Sequence, residues 1–283
     1  MIPDDWESWL VRADELSIRG DDRGQLLVLE HRGGADRAHA WQLADAWMAT
    51  SAEQLGESTL ELYLWIRSLA PIVDPPTPEL VLPTFARPIS QLLAQLDRDA
   101  TYEAGEVAPV FAQYREQVLA AMRAWIDRAF DGVPPPDEDH RTLRQGEAAD
   151  NHDMVDRSLD HLGRWQDLPD RELLECQWAL SHLDAQGIRY YAPAVMTFAL
   201  RQGVRWHQHW ITESFEYTLQ RSSEALRAYQ LRRFELLDRA QRAAIYAYTL
   251  VAGHVEAAKA WAPVFEAERT AERPDWFELY WPS

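Results

Sequence analysis

Apolar residues recur at helical spacing along most of this 283-residue chain. The first segment shows the i, i+3, i+4, i+7 pattern of an amphipathic helix at Trp6, Trp9, Leu10, Ala13 and Leu16. The segment Gln25–His31 has a strand as its alternative, but it lacks two-residue alternation and is rich in Leu and Glu, which favours a helix. The pattern therefore predicts an all-α fold, a multi-helix domain preceded by a small helical N-terminal module.

A proline-rich stretch divides the helical sequence. Its prolines are Pro71, Pro75, Pro76, Pro78, Pro83 and Pro88. Because proline lacks a backbone N–H and has a fixed φ, this stretch predicts an extended connector. We predict a module at 1–68, a connector at 69–88 and a helical domain at 89–283. Further helices are expected at about 35–50, 55–69, 89–96, 107–130, 150–165, 171–183, 215–232 and 239–261.

The composition indicates a compartment. No apolar run of about 18 residues is present, so a transmembrane helix is not expected. The acidic N-terminus lacks the apolar core of a signal peptide. Cys176 is the only cysteine, which excludes an intrachain disulfide and a cysteine-based zinc cluster. We predict a cytoplasmic protein with a buried, inert thiol.

The formal net charge is −18. Such a charge repels phosphates, so nucleic acid is not expected as a partner, and neither is a membrane. It suits fast association with a basic protein. The alternative is that the charge serves solubility alone.

The segment Arg205–Trp210 reads "RWHQHW" and invites comparison with a metal site. On a helix His207 and His209 are about 200° apart and cannot converge on one ion, whereas Trp206 and Trp210 lie one turn apart. We predict a Trp–Trp packing pair with flanking histidines in a wet or interfacial position. A strand or loop would instead bring both histidines to one side.

The acidic residues Asp153, Asp156 and Asp160 fall on one face of the helix predicted at 150–165. His152 and His161 lie on opposite sides, so they cannot share a metal. We interpret the acidic face as solvated and as a candidate interface, together with Trp206, His207, His209 and Trp210. Nucleophile-elbow, Walker, Gly-x-Gly-x-x-Gly and calcium-loop motifs are absent from the sequence. No catalytic, cofactor-binding or metal-binding residue is predicted, and no cofactor.

Two segments carry family resemblances. "RADELSIRGDDRGQLLVLEH" (Arg12–His31) resembles the repeat-companion domain of myxobacterial and planctomycete proteins, through an Ala-Asp-x-Leu helix and an Arg-Gly-Asp-x-Arg-Gly turn. "IDRAFDGVPPP" (Ile126–Pro136), "RYYAPAVM" (Arg189–Met196) and "FELLDRAQRAAIYAYTL" (Phe234–Leu250) resemble DUF6714, a bacterial family of unknown function, from about residue 122. The second resemblance implies an α-helical domain and no known reaction. The embedded Arg-Gly-Asp tripeptide is interpreted as a capped turn.

Three functions are compatible with the sequence. The first is a non-enzymatic acidic protein-binding module, such as an immunity or adaptor protein for a basic bacterial effector. The second is a structural companion domain within a larger assembly. The third is a metal-assisted hydrolase of unrecognised type that uses some of His182, His207, His209, His254 and nearby acids.

Overall fold

A computed structural model describes residues 5–32, 36–73, 89–96, 106–153, 157–202, 209–220 and 223–268. Within these ranges the backbone forms helices, turns and loops, and no described residue lies in a strand. The predicted all-α class is therefore confirmed. No helix in the described ranges has an apolar stretch long enough to cross a bilayer.

The helices vary from four to 21 residues. The α-helices are α1 (Trp6–Ile18), α2 (Arg23–Arg32), α3 (Asp36–Leu55), α4 (Glu57–Ser68), α5 (Ala70–Val73), α6 (Ile89–Leu93), α7 (Pro109–Ala129), α8 (Leu143–Asp150), α9 (Asp170–Glu175), α10 (Ala185–Gln202), α11 (Trp210–Leu219), α12 (Arg227–Phe234), α13 (Arg239–Val251) and α14 (Val255–Glu268). Short 3-10 helices lie at Arg157–Leu159, Trp165–Asp167, Ala179–His182 and Glu224–Leu226.

The chain forms two compact units. The first contains the described residues up to Val73 and those from Ile89 to Val118, and the second contains the described residues from Leu119 onward. Residues 74–88, most of the predicted connector, lie outside the described residues. The predicted domain limits at 68 and 88 therefore stay a prediction.

The first unit is built around α2, which packs against α1, α3 and α6. Its core includes Trp9, Ala13, Leu16 and Leu27, all nearly inaccessible to water. The α1 residues in this set share one helix face, as the apolar spacing predicts. Gly24 lets α2 approach α1 closely, since a Cβ there would lie 2.5 Å from the carbonyl oxygen of Ala13.

The turn between α1 and α2 is organised by a buried ion pair. Gly20 has a φ of +69°, which lets the chain reverse after α1. Asp21 accepts a hydrogen bond from the backbone N–H of Arg23 at 3.1 Å and pairs with its guanidinium at 2.6 Å. The same guanidinium donates to the carbonyl oxygens of Leu93 (3.0 Å) and Leu96 (2.7 Å). The Arg-Gly-Asp tripeptide thus lies in a capped turn, as interpreted from the sequence.

The second unit is built around α10. Thirteen of its 18 residues are buried, among them Tyr190 and Tyr191. Pro193 lies in the interior of this helix rather than at its first turn. The indole of Trp261 on α14 packs edge-on against Phe234 and donates to the carbonyl oxygen of Leu219 at 3.1 Å. The core of this unit therefore joins residues distant in sequence.

The helix predicted at 150–165 does not form. Asp150 ends α8, Asn151 caps its C-terminus and His152 has a φ of +59°. A left-handed residue cannot continue an α-helix, and the described residues from there to Trp165 contain no α-helix; they form the 3-10 turn Arg157–Leu159 and the start of a second one at Trp165–Asp167.

Three other predicted helices are shorter than expected. The segment 171–183 divides into α9 and the 3-10 helix Ala179–His182, and Pro169 occupies the N-cap position of α9. The segment 215–232 divides into α11 and α12. The segment 239–261 divides into α13 and α14 at Gly253, whose φ is +73°. A single left-handed glycine is enough to end a helix, although its residue type alone does not reveal its φ.

Candidate functional site

The predicted interface residues are only partly described. Trp206, His207 and Asp156 lie outside the described residues, as does the apolar tail Trp276–Trp281. Asp153, Asp160, His209 and Trp210 are described.

The predicted acidic surface does not form as expected. Asp153 is exposed, but the side chain of Asp160 is completely buried, with a carboxylate oxygen 3.8 Å from Nε of Arg157. The reason is that the described residues of this segment do not form the expected α-helix, so the spacing of Asp153 and Asp160 does not place these two acids on one helix face. Asp160 therefore cannot contact a partner in this conformation.

His209 has a structural position before α11. Its ring is half-buried and packs edge-on against Phe198 at 5.2 Å between centroids. Its carbonyl oxygen accepts from the backbone N–H of Thr212 at 3.0 Å and from the Thr212 hydroxyl at 2.7 Å. These contacts fix the start of α11 and hence the position of Trp210, the first residue of that helix.

Trp210 makes a ring contact with Trp178, which follows α9. The ring centroids lie 5.4 Å apart and the planes are inclined by 39°. Trp178 is 44% exposed and Trp210 is 55% exposed. We call these two residues the aromatic patch. Two neighbouring indoles that both keep about half their surface in water are unusual, because an indole gains free energy when its apolar area is buried.

The position of Trp178 depends on a close approach between α8 and the 3-10 helix Ala179–His182. A Cβ on Gly146 would lie 2.7 Å from the carbonyl oxygen of Ala179, so only glycine fits there without a shift. This approach brings the Glu147 carboxylate within 2.8 Å of the backbone nitrogen of Trp178, which donates to it. The backbone under the patch is thus held by a charge-assisted hydrogen bond.

Acidic side chains surround the aromatic patch. Glu147 bonds the backbone of Trp178, and Glu213 lies one helical turn after Trp210 on the exposed face of α11. Tyr217, 66% exposed, extends that face by another turn. The surface therefore combines apolar rings with negative charge.

No set of three or more His, Cys, Asp or Glu side chains suited to a metal ion occurs in the described part of the chain. Of the histidines proposed for a metal-assisted reaction, His182 pairs with Asp150 at 3.2 Å. His254 is buried, with Nδ1 2.9 Å from a carboxylate oxygen of Glu216. In these contacts, His182 and His254 each lie beside a carboxylate from a different helix.

Cys176 is buried, as predicted, at the C-cap of α9. Burial raises the pKa of its thiol to about 12, so at neutral pH the reactive thiolate is scarcely populated. Four residues earlier, burial raises the pKa of the Glu172 carboxyl, while Arg144, 3.9 Å away, opposes this shift. We assign both groups to the packing of this unit.

The sequence did not indicate Trp178 as a functional residue. It lay within the helix predicted at 171–183, where a tryptophan is an ordinary packing residue. Its contact with Trp210 joins positions 32 residues apart, so no local spacing reports it. The available signal was the tryptophan content of 13 residues, because tryptophan is enriched both in cores and at binding surfaces.

Comparison with known proteins gives one match. The family described as "Family of unknown function (DUF6714)" matches residues 119–274, more than half of the chain and nearly all of the described second unit. No curated protein and no solved structure matches the chain. The resemblance of Arg12–His31 to the repeat-companion domain stays a prediction. The match across the second unit shows that this chain belongs to the DUF6714 family.

Proposed function

We propose that this protein is a non-enzymatic binding module that holds a basic segment of another protein on the aromatic patch. The observation that carries the proposal is the contact between two half-exposed indoles, Trp178 and Trp210. Tryptophan is enriched among the residues that dominate binding energy, and a partner that covers both rings removes their apolar surface from water.

The charge of the surroundings supports a basic partner. The chain has a net charge of −18, and Glu147 and Glu213 flank the rings. Arginine and lysine side chains stack favourably on indole faces, so the same surface attracts them through both the rings and the carboxylates. Nucleic acid would meet repulsion at this surface.

The patch is also held in place before binding. Glu147 fixes the backbone of Trp178, and the contacts of His209 fix the start of α11 beneath Trp210. Because the rings already contact each other, binding orders few additional side chains, which favours affinity.

The size of the effect follows from the exposed area. A tryptophan side chain buries about 150–250 Å² when covered, and roughly half of each ring is still exposed, so roughly 100 Å² per ring is available. At about 25 cal/mol per Å², one ring contributes roughly 2–3 kcal/mol, or about 30- to 150-fold in affinity.

Affinity capture from the source cells tests the proposal. The native chain and a Trp178→Ala/Trp210→Ala variant are used as baits, and Val255→Ala, which alters an exposed apolar residue of α14, is the matched control. We expect a basic protein that the native chain and the control retain, that the double variant loses, and whose binding weakens with added salt. Equal recovery by the double variant would refute the assignment of the patch.

The identity of the partner and the role of the first unit are part of the same proposal. A basic bacterial effector would make the protein an immunity or adaptor protein, and a subunit of a stable assembly would make it a companion domain. The turn from Gly20 to Gly24 supports a repeat-companion module at the N-terminus, since each of its characteristic residues has a structural role. We place the protein in the cytoplasm.

A further inference from the structure

A pocket of about 280 Å³ lies in the second unit, apart from the residues of the aromatic patch. Arg123 and Asp127 of α7 form one wall, and Thr197 and Arg201 of α10 form another. Trp165, Leu168 and Leu173 contribute buried apolar surface. This volume lies just below the range of about 300 to 1,000 Å³ that is typical of ligand pockets, so the pocket suits a molecule smaller than most ligands.

Three of the four charged side chains in the pocket already have polar partners. Arg201 pairs with Asp170, and Asp127 accepts a hydrogen bond from the side-chain amide of Gln166 at 2.9 Å. Arg123 differs: it is half-buried, and among the described residues its guanidinium forms neither an ion pair nor a hydrogen bond. A partly desolvated cation that faces a pocket without a partner is complementary to an anion.

Thr197 supplies a second unused polar group. Its hydroxyl oxygen is buried and has no hydrogen-bond partner among the described residues, although a threonine inside a helix often donates to the carbonyl four residues earlier. Thr197 precedes Arg201 by one helical turn, so both side chains lie on the face of α10 that lines the pocket. The wall of the pocket thus contains a buried hydroxyl whose hydrogen-bonding capacity the described residues leave unused.

We propose that this pocket binds a small organic monocarboxylate with an apolar body. The carboxylate pairs with Arg123 and accepts from the Thr197 hydroxyl, and the apolar part packs on Trp165, Leu168 and Leu173. A monoanion is favoured over phosphate because the carboxylates of Asp127 and Asp170 also line the pocket and repel a doubly charged group.

Fluorine NMR of 4-fluorophenylacetate, titrated with the full chain, tests this site. The neutral isostere 4-fluorophenylacetamide measures the contribution of the charge, and inorganic phosphate is added as a competitor that carries charge alone. We expect the carboxylate to bind about tenfold more tightly than the amide, and phosphate not to displace it.

Variants locate the binding. Arg123→Gln is expected to weaken 4-fluorophenylacetate binding about tenfold and Thr197→Val about threefold. Arg128→Gln, an exposed position on α7 that does not line the pocket, is the matched control and should bind normally. Absence of binding to the native chain, equal affinity for amide and carboxylate, or normal affinity in Arg123→Gln would each overturn the proposal. The comparison of amide with carboxylate uses the native chain and holds even if a variant misfolds.

Discussion

Replacement of Arg23 by methionine should destabilise the first unit more than any exposed substitution. The residue is 3% exposed, and its guanidinium pairs with the buried carboxylate of Asp21 at 2.6 Å. It also donates to two α6-region carbonyls, of Leu93 and Leu96, and lies 4.7 Å from the centre of the Trp47 ring. A single side chain therefore joins the α1–α2 turn to α3 and α6.

The magnitude follows from these contacts. Removal of one member of a buried ion pair costs about 3–5 kcal/mol, because the remaining charge stays buried without compensation. Each carbonyl that loses its donor adds about 1 kcal/mol, although these terms are not fully additive. We expect a loss of about 4–6 kcal/mol, a large part of the roughly 5–15 kcal/mol that stabilises a typical domain.

Hydrogen exchange read by mass spectrometry is the suitable assay, because peptides from α2 and α3 report on the first unit separately from the second. Arg12→Met is the matched control: Arg12 lies on α1 and its pair with Glu15, 2.8 Å long, is exposed, so less than about 1 kcal/mol is expected. The double variant Asp21→Asn/Arg23→Met should cost less than Arg23→Met alone, since no charge is stranded. Equal protection in Arg23→Met and Arg12→Met would refute the reasoning.

Three further predictions concern the second unit. Burial raises the pKa of the Glu172 carboxyl in the folded state. The stability that this protonation contributes is therefore fully present below the ordinary pKa of 4.5 and is lost as the pH rises through the folded-state pKa. Glu172→Gln should therefore raise the melting temperature at neutral and alkaline pH and not in acid. The control Glu175→Gln removes a carboxylate whose pKa Arg171 lowers, so it should reduce the melting temperature. A gain for Glu172→Gln that grows in acid would contradict this reasoning. Gly146→Ala should cost about 1–3 kcal/mol in urea unfolding and weaken partner capture, because its Cβ would press on the Ala179 carbonyl beneath Trp178; unchanged stability would show that α8 can move aside. Cys176 should resist iodoacetamide in the native protein and react after unfolding, as judged by intact mass, since its pKa is raised to about 12; rapid native labelling would contradict its burial.

Several features of this protein could be predicted from local sequence. The apolar spacing of α1 gave its buried face correctly at Trp9, Ala13 and Leu16, because helix periodicity needs no tertiary contact to be visible. The burial of Cys176 followed from its apolar neighbours. Helix ends were predicted less well, as Gly253 shows: a glycine inside an amphipathic pattern ends the helix only if its φ becomes positive.

The candidate site depended on contacts that sequence spacing does not report. A helical wheel paired Trp210 with Trp206, and this pairing stays a prediction because Trp206 lies outside the described residues. The contact with Trp178, on another element, could not be read from any wheel. The wheel also placed Asp160 in solvent. In the structure this residue follows a 3-10 turn, and its side chain is buried beside Arg157. A helical wheel is valid only where the helix forms. Where a predicted helix is wrong, the positions inferred for its side chains are wrong as well.

The sequence by itself determined the helical class, the negative charge and the family, because these depend on residue type and local spacing. The tertiary structure decided which groups meet: the Asp21–Arg23 pair with the α6 carbonyls, the two exposed indoles, and Arg123 and Thr197 on the walls of one pocket. Those contacts join elements far apart in the chain. Their geometry follows from how the helices pack, and packing is a property of the whole fold rather than of any segment.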